Sequence, residues 1–162
     1  MFATEFEYQK VSSVSEAIQL LSNNEGAKIL AGGHSLIPLM KLRLAQPPLV
    51  IDIGGIDELK GISVENGTLR IGALTTHAEI SESHVVQDAA GILWEAAYGI
   101  GDPQVRNRGT IGGNVAQDTR CWYYRGGLPC YRAGGNTCFA DTPSAMNREH
   151  TIFNADRCVA VS

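Results

Sequence analysis

No run of Lys or Arg occurs anywhere in the 162 residues, and 13 basic against 17 acidic side chains leave a net charge of −4. Nucleic acid and anionic membrane surfaces are gripped by clustered positive charge, so neither is expected as a partner. No uninterrupted apolar stretch approaches the ~20 residues that a spanning helix requires. The N-terminus MFATEFEYQK also lacks the basic region and apolar core of a secretion signal. These absences describe a soluble chain, expected in the cytoplasm and without a membrane span. Cysteine is scarce: there are four, without the close C-x2–4-C pair that zinc sites generally show. In a reducing compartment they read as metal ligands or buried thiols rather than disulfides. Neither GxGxxG nor a Walker loop with its lysine is present. No Ser/His/Asp arrangement or carboxylate pair stands out either, which argues against a hydrolase and leaves no candidate catalytic residue.

What is present changes texture along the chain. From Phe6 to about Asn66 the pattern mixes α and β. Val14, Ala17, Ile18 and Leu21 recur at helical spacing behind a Ser13-x-x-Glu16 capping box. Lys28-Ile29-Leu30 reads as a strand, AGGHS as its turn and LIPLMKLRL as the next helix, with Pro38 tolerated in the first turn. The apolar run from Leu49 to Ile53 supplies a partner strand, giving a β, glycine turn, α, β order that is nucleotide-binding in outline. Asn66-Gly67 between alternating apolar residues predicts a hairpin with a type I′ turn and the start of a second lobe. Thr76-x-x-Glu79 marks another helix start, and Val85 to Tyr98 reads as one helix ended by Gly99 or Gly101.

Three constellations can carry chemistry. In LAGGHS, Leu30 to Ser35, adjacent glycines let backbone N–H groups converge on an anion, the following helix start adds partial positive charge and Ser35 adds a hydroxyl. A plain strand-to-helix turn uses the same residues. In TIGGN, Thr110 to Asn114, a second glycine pair is followed by a carboxamide that both donates and accepts, although such a segment alone is more often a bulge or turn than a site. Two such loops in one short chain suit a ligand with two phosphates. The third constellation is Cys121, Cys130, Cys138 and Cys158, with eight, seven and nineteen residues between successive members. Iron–sulfur clusters take four thiolates at varied spacing. Trp122, Tyr123, Tyr124 and Phe139 are available to shield one, and four unrelated thiols remain the alternative.

AGGHSLIPLMKLRLA, then LVIDIGGI, then DPQVRNRGTIGGN, resembles the FAD-binding medium subunit of the molybdenum hydroxylases, the group of xanthine dehydrogenase and carbon monoxide dehydrogenase. The resemblance runs over essentially the whole chain. It implies a two-lobed α+β FAD-binding domain of the PCMH type: a small α/β lobe at 1–56 and a larger lobe at 57–162 with a mainly antiparallel sheet. It implies that Ala31, Gly32, Gly33, His34 and Ser35, with Thr110, Ile111, Gly112, Gly113 and Asn114, embrace the FAD pyrophosphate, and that Ile100 lies near the isoalloxazine ring. QDTRCWYYR, two further cysteines, NREH and CVAV resemble the 4-hydroxybenzoyl-CoA reductase branch, whose cysteine-rich insertion, here 118–158, binds a [4Fe–4S] cluster through four cysteines. The implied function is an electron-transfer subunit of a molybdopterin-dependent oxidoreductase. It passes electrons between iron–sulfur centres and an external carrier, beside a molybdopterin-binding large subunit and a [2Fe–2S] small subunit. Family members continue past residue 162, so the chain is expected to be C-terminally truncated, the C-terminal domain missing and the second lobe incomplete. Two alternatives stand beside this: a non-catalytic remnant that docks to partner subunits without FAD, and a zinc-stabilised binding domain.

Overall fold

Ser13 is a helix N-cap because its extended backbone lets the hydroxyl accept the Glu16 N–H, and helix α1, Val14–Asn23, follows from it. The computed structural model describes residues 2–148, 150–153 and 155–160. The chain divides into two compact units, residues 1–115 and 116–162. In the first, β1 (Glu7–Lys10), β2 (Lys28–Leu30) and β3 (Leu49–Asp52) form a parallel sheet in the order β1-β3-β2. Central β3 buries Leu49, Val50 and Ile51, as a strand paired on both edges should. Val11, Ala17, Leu49, Ile51 and Ile56 form a core against which Val14, Leu20 and Leu21 pack. Ile18, expected on the inward face of α1, is instead 57% exposed, and Leu20 takes its place.

Helix α2 is shorter than expected. It runs Leu36–Lys41, after which Arg43 adopts a left-handed φ of 59° and the N–H groups of Leu44 and Ala45 fold back onto the Leu39 carbonyl. β4 (Ile62–Glu65) and β5 (Thr68–Ile71) form the expected antiparallel hairpin, with Asn66 and Gly67 at φ 51° and 76°, the signs a type I′ turn demands. Thr76 and Glu79 complete a reciprocal capping box on α3 (His77–Glu82).

The single helix expected over Val85–Tyr98 is two: α4 (His84–Ala89) and α5 (Gly91–Gly99), broken where Ala90 leaves helical geometry at φ −151°. Gly91, a poor helix former, sits at the break. Ile80, Val86 and Ala97 make a second core, capped by Ile62, Leu69 and Ile71 of the hairpin and by Ile111. Two short helices follow, α6 (Pro103–Arg106) and α7 (Ile111–Val115). The expected division at residue 56 thus falls inside the first unit, between these two cores.

The second unit has little regular structure. Among the described residues it holds α8 (Trp122–Arg125), a 3-10 turn at Tyr131–Ala133 and an isolated antiparallel bridge between His150 and Ala160. The bridge is what the described part of the closing CVAV run forms; Val161 and Ser162 lie outside the described residues. No helix among the described residues is long and apolar enough to cross a membrane.

Candidate cofactor-binding site

The turn after β2 is built around two glycines for different reasons. A Cβ on Gly32 would stand 1.9 Å from the Arg108 carbonyl oxygen and 3.0 Å from Gly109 Cα, so only glycine admits this contact between backbones. Gly33 has a φ of +81°, the left-handed region that favours glycine. The turn therefore lies directly against residues 108 and 109, which lead into Thr110. Its backbone N–H groups at Gly32, Gly33, His34 and Ser35 find no acceptor among the described residues. The Ser35 hydroxyl does not cap α2, and both His34 and Ser35 are exposed. Backbone donors are normally paired or solvated, so four consecutive unspent amides beside a free hydroxyl leave donors available to an anion.

TIGGN behaves differently. Thr110 bridges to Thr76, and the four following amides are all committed: Ile111 to Thr75 O at 2.9 Å, Gly112 to Ala73 O at 2.9 Å, Gly113 to Thr110 Oγ1 at 3.2 Å and Asn114 to Thr110 O at 3.0 Å. The close approach that Gly112 serves is to Ala73, whose Cβ would lie 2.7 Å from an added methyl. Rather than an open loop, residues 111–115 form the short helix α7. What this segment leaves available is the exposed Asn114 carboxamide, which has no partner among the described residues.

His77 underlies the same segment. Its N–H donates to Gly109 O at 3.0 Å, and its ring is 2% exposed with Nδ1 buried and unpartnered. Burial pushes the imidazole below its ordinary pKa, keeping it neutral. Ile100 is half-buried at the end of α5, where its carbonyl accepts Arg106 Nη1 at 3.1 Å while the Arg106 guanidinium lies 5.7 Å from the Tyr98 ring centroid. The residue expected near a flavin ring is thus held by a cation–π clamp that sequence reading missed. The one prior signal for it was the DPQVR string, with Asp102 capping α6.

In the second unit the four cysteines, widely spaced in sequence, line one pocket together with His150. All four are free thiols. Tyr123 and Phe139 stack at 6.3 Å against it, and Tyr124 also lines it. Trp122, expected as a shield, is not among the lining residues and is 54% exposed. Several polar neighbours are already engaged. Tyr123 OH accepts the Met146 N–H at 2.9 Å, Tyr124 OH donates to Asp118 at 2.8 Å, and Arg132 pairs with Asp118 at 2.8 Å. The Tyr124 and Arg132 hydrogen bonds hold the Asp118 carboxyl below the usual carboxylate range, and the same carboxylate raises Tyr124. His150 is the exception: it is 8% exposed, with both ring nitrogens buried and unpartnered among the described residues. Among the described residues no group of three or more His, Cys, Asp or Glu side chains is arranged to hold a metal ion.

A family profile described as the FAD binding domain in molybdopterin dehydrogenase matches residues 4–160. The chain belongs to this family. It is 53% identical over 117 residues to the carbon monoxide dehydrogenase medium chain of Hydrogenophaga pseudoflava, 72% of this chain and 41% of that one. The solved carbon monoxide dehydrogenase of that organism, lacking the Mo-pyranopterin moiety of its cofactor, superposes with a TM-score of 0.70 over the same shares of each chain. The aldehyde oxidoreductase FAD-binding subunit PaoB of Escherichia coli K12 is 33% identical over 158 residues, 96% of this chain and 49% of that subunit. The chain thus spans about half the length, or less, of these relatives.

Within this FAD-binding family the extents differ informatively. The carbon monoxide dehydrogenase match has close to the length of the first unit, whereas a match covering 96% of the chain necessarily runs through the cysteine-bearing second unit. For a FAD-binding domain, the free amides at residues 32–35 are the observation that fits a pyrophosphate.

Proposed function

We propose that this chain holds FAD in the electron-transfer subunit of a molybdopterin-dependent oxidoreductase. Family membership supports the cofactor, and the four unspent amides at residues 32–35 are the single observation that carries the site. In this reading the turn Ala31, Gly32, Gly33, His34 and Ser35 binds the pyrophosphate through backbone N–H groups and the Ser35 hydroxyl. Thr110, Ile111, Gly112 and Gly113 act as a rigid wall in which the amides of residues 111–113 are satisfied, and Asn114 contributes its carboxamide. Ile100, fixed through Arg106, presents an apolar side chain to the flavin ring. Bound FAD supplies the one- and two-electron chemistry, while the chain supplies position and electrostatics. Electrons run between iron–sulfur centres and an external carrier, and substrate is oxidised on a molybdopterin-binding large subunit reached through a [2Fe–2S] small subunit. The two-lobed PCMH division at residue 56 belongs to the same reading, as does a cytoplasmic location, where thiols stay reduced.

The second part of the proposal is a [4Fe–4S] cluster on Cys121, Cys130, Cys138 and Cys158, placing the chain with the 4-hydroxybenzoyl-CoA reductase branch. Four thiols around one pocket fit the ligand demand. Thiolates of one tetrahedral zinc ion stand about 3.8 Å apart, given Zn–S bonds near 2.3 Å. A four-iron cluster separates them further because each binds a different iron, which agrees with cysteines that share a pocket without forming a single-ion site. The relative matched over 158 residues supports a family branch carrying this unit.

Flavin binding is tested with Ser35→Ala and Asn114→Ala, whose side chains have no partners to lose among the described residues. Each removes a charge-assisted hydrogen bond worth about 1.5–3 kcal/mol, so FAD affinity should fall roughly tenfold or more with unchanged apo-protein melting. Unaltered affinity in both variants refutes the assignment. For the cluster, anaerobic reconstitution should give four irons and acid-labile sulfide, lost in Cys138→Ser; zinc without sulfide would refute it.

A further inference from the structure

The His150 imidazole is the most exceptional buried polar group in the second unit. Both of its ring nitrogens are sealed from solvent with no hydrogen-bond partner among the described residues, although its backbone is well placed by the bridge to Ala160 and by its N–H to Asn147 O at 3.0 Å. Leaving one buried polar atom unsatisfied costs about 1–3 kcal/mol, and native proteins seldom do so twice in one ring. The other polar neighbours offer no relief: the Tyr124 hydroxyl and the Arg132 guanidinium are spent on Asp118, and Tyr123 OH is engaged by Met146. Among the side chains that line the pocket, the four cysteine sulfurs and the hydroxyl of the exposed Tyr131 remain as acceptors.

We infer that His150 donates an N–H hydrogen bond to a sulfur of the cluster held by Cys121, Cys130, Cys138 and Cys158, and thereby sets its reduction potential. This rests on the cluster reading above. An imidazole carries at least one N–H in every protonation state, so the donor is always present. Reduction adds negative charge to the sulfur acceptors, so the bond strengthens in the reduced state and raises the potential. His150 is then a positioning and tuning residue, not an iron ligand, and the short bridge to Ala160, two residues beyond Cys158, sets where its ring stands.

The test uses anaerobically reconstituted protein at one fixed pH. His150→Phe keeps a planar aromatic ring and removes the donor, whereas His150→Gln keeps an N–H. The expected result is a roughly tenfold weaker preference for the reduced state in His150→Phe, about 59 mV lower for a one-electron centre, with most of the shift recovered in His150→Gln. In the wild type labelled with 15N-histidine, the reduced cluster should show a weak, exchangeable proton coupling and a weak nitrogen coupling. A His150→Phe potential equal to wild type overturns the inference, and so does a nitrogen coupling of the strength given by a directly bound ligand. If His150→Phe takes up no iron, the wild-type spectrum decides alone, and absence of the exchangeable coupling overturns the inference. If the wild type itself binds no iron and sulfide, the cluster reading has failed first, which the metal analysis shows separately.

Discussion

Gly32→Ala should pry the turn proposed to bind the pyrophosphate away from the segment that enters TIGGN. The new methyl would meet the Arg108 carbonyl oxygen at 1.9 Å and its carbon at 2.7 Å, and real Cβ contacts do not fall below 3.0 Å. Both obstacles are backbone, so no side-chain rotamer can relieve them. Residues 108–109 are in turn held by the Arg108 and Gly109 N–H bonds to Val105 O and by His77, whose N–H bonds Gly109 O. Overpacking of this kind costs about 1–3 kcal/mol, to which a further loss of FAD affinity is added because the displaced amides belong to the same turn. The control is Gly91→Ala, at the first position of α5 with nothing within 4 Å of the added Cβ, which should be neutral or stabilise by up to about 1 kcal/mol. The two tryptophans fall one in each unit, Trp94 and Trp122, so Trp94 fluorescence in a Trp122→Phe background reports urea unfolding of the first unit alone. Equal midpoints for Gly32→Ala and its parent would refute the close backbone approach.

Thr76→Ala removes the hydroxyl half of the α3 capping box, in which the Thr76 hydroxyl accepts the Glu79 N–H at 3.2 Å, and leaves the residue-76 N–H that Glu79 accepts at 2.7 Å; about 1 kcal/mol should be lost in the same unfolding assay. His77 gives a pH signature. Burial lowers its folded pKa beneath the ordinary value near 6.5, so below that pH the unfolded chain binds a proton that the folded chain refuses. Its contribution is whole above about pH 6.5 and is lost as pH falls toward the folded value, so wild type should lose more stability between pH 7 and 5 than His77→Leu. Parallel losses in the two proteins would contradict a neutral buried imidazole.

Much of the local structure was legible. Asn66-Gly67 between alternating apolar residues and Thr76 before Glu79 each specify a short-range backbone event and occur as expected, whereas Ser13 caps α1 but the Glu16 carboxylate accepts the Ser12 N–H, so that capping box is only half formed. β1 was not legible, because Glu7–Lys10 is an exposed edge strand whose residues show no inward-facing alternation. The break at Ala90 and the short helix at TIGGN were missed because both depend on partners elsewhere: the Ile80–Val86–Ala97 core in one case, the Ala73 and Thr75 carbonyls in the other.

The sequence by itself determined the two glycine pairs, the cysteine order and the family to which they belong, since these are matters of residue type along the chain. It could not say which glycine loop keeps its amides free, because both read as ligand cradles. The tertiary structure decided that residues 32–35 do and residues 111–114 do not. Only the fold, likewise, gathers four cysteines separated by eight, seven and nineteen residues around one pocket and leaves both His150 ring nitrogens there without a partner among the described residues. The reason is the same in both cases: hydrogen-bond satisfaction is a balance over long-range neighbours, and residue spacing carries no record of who those neighbours are.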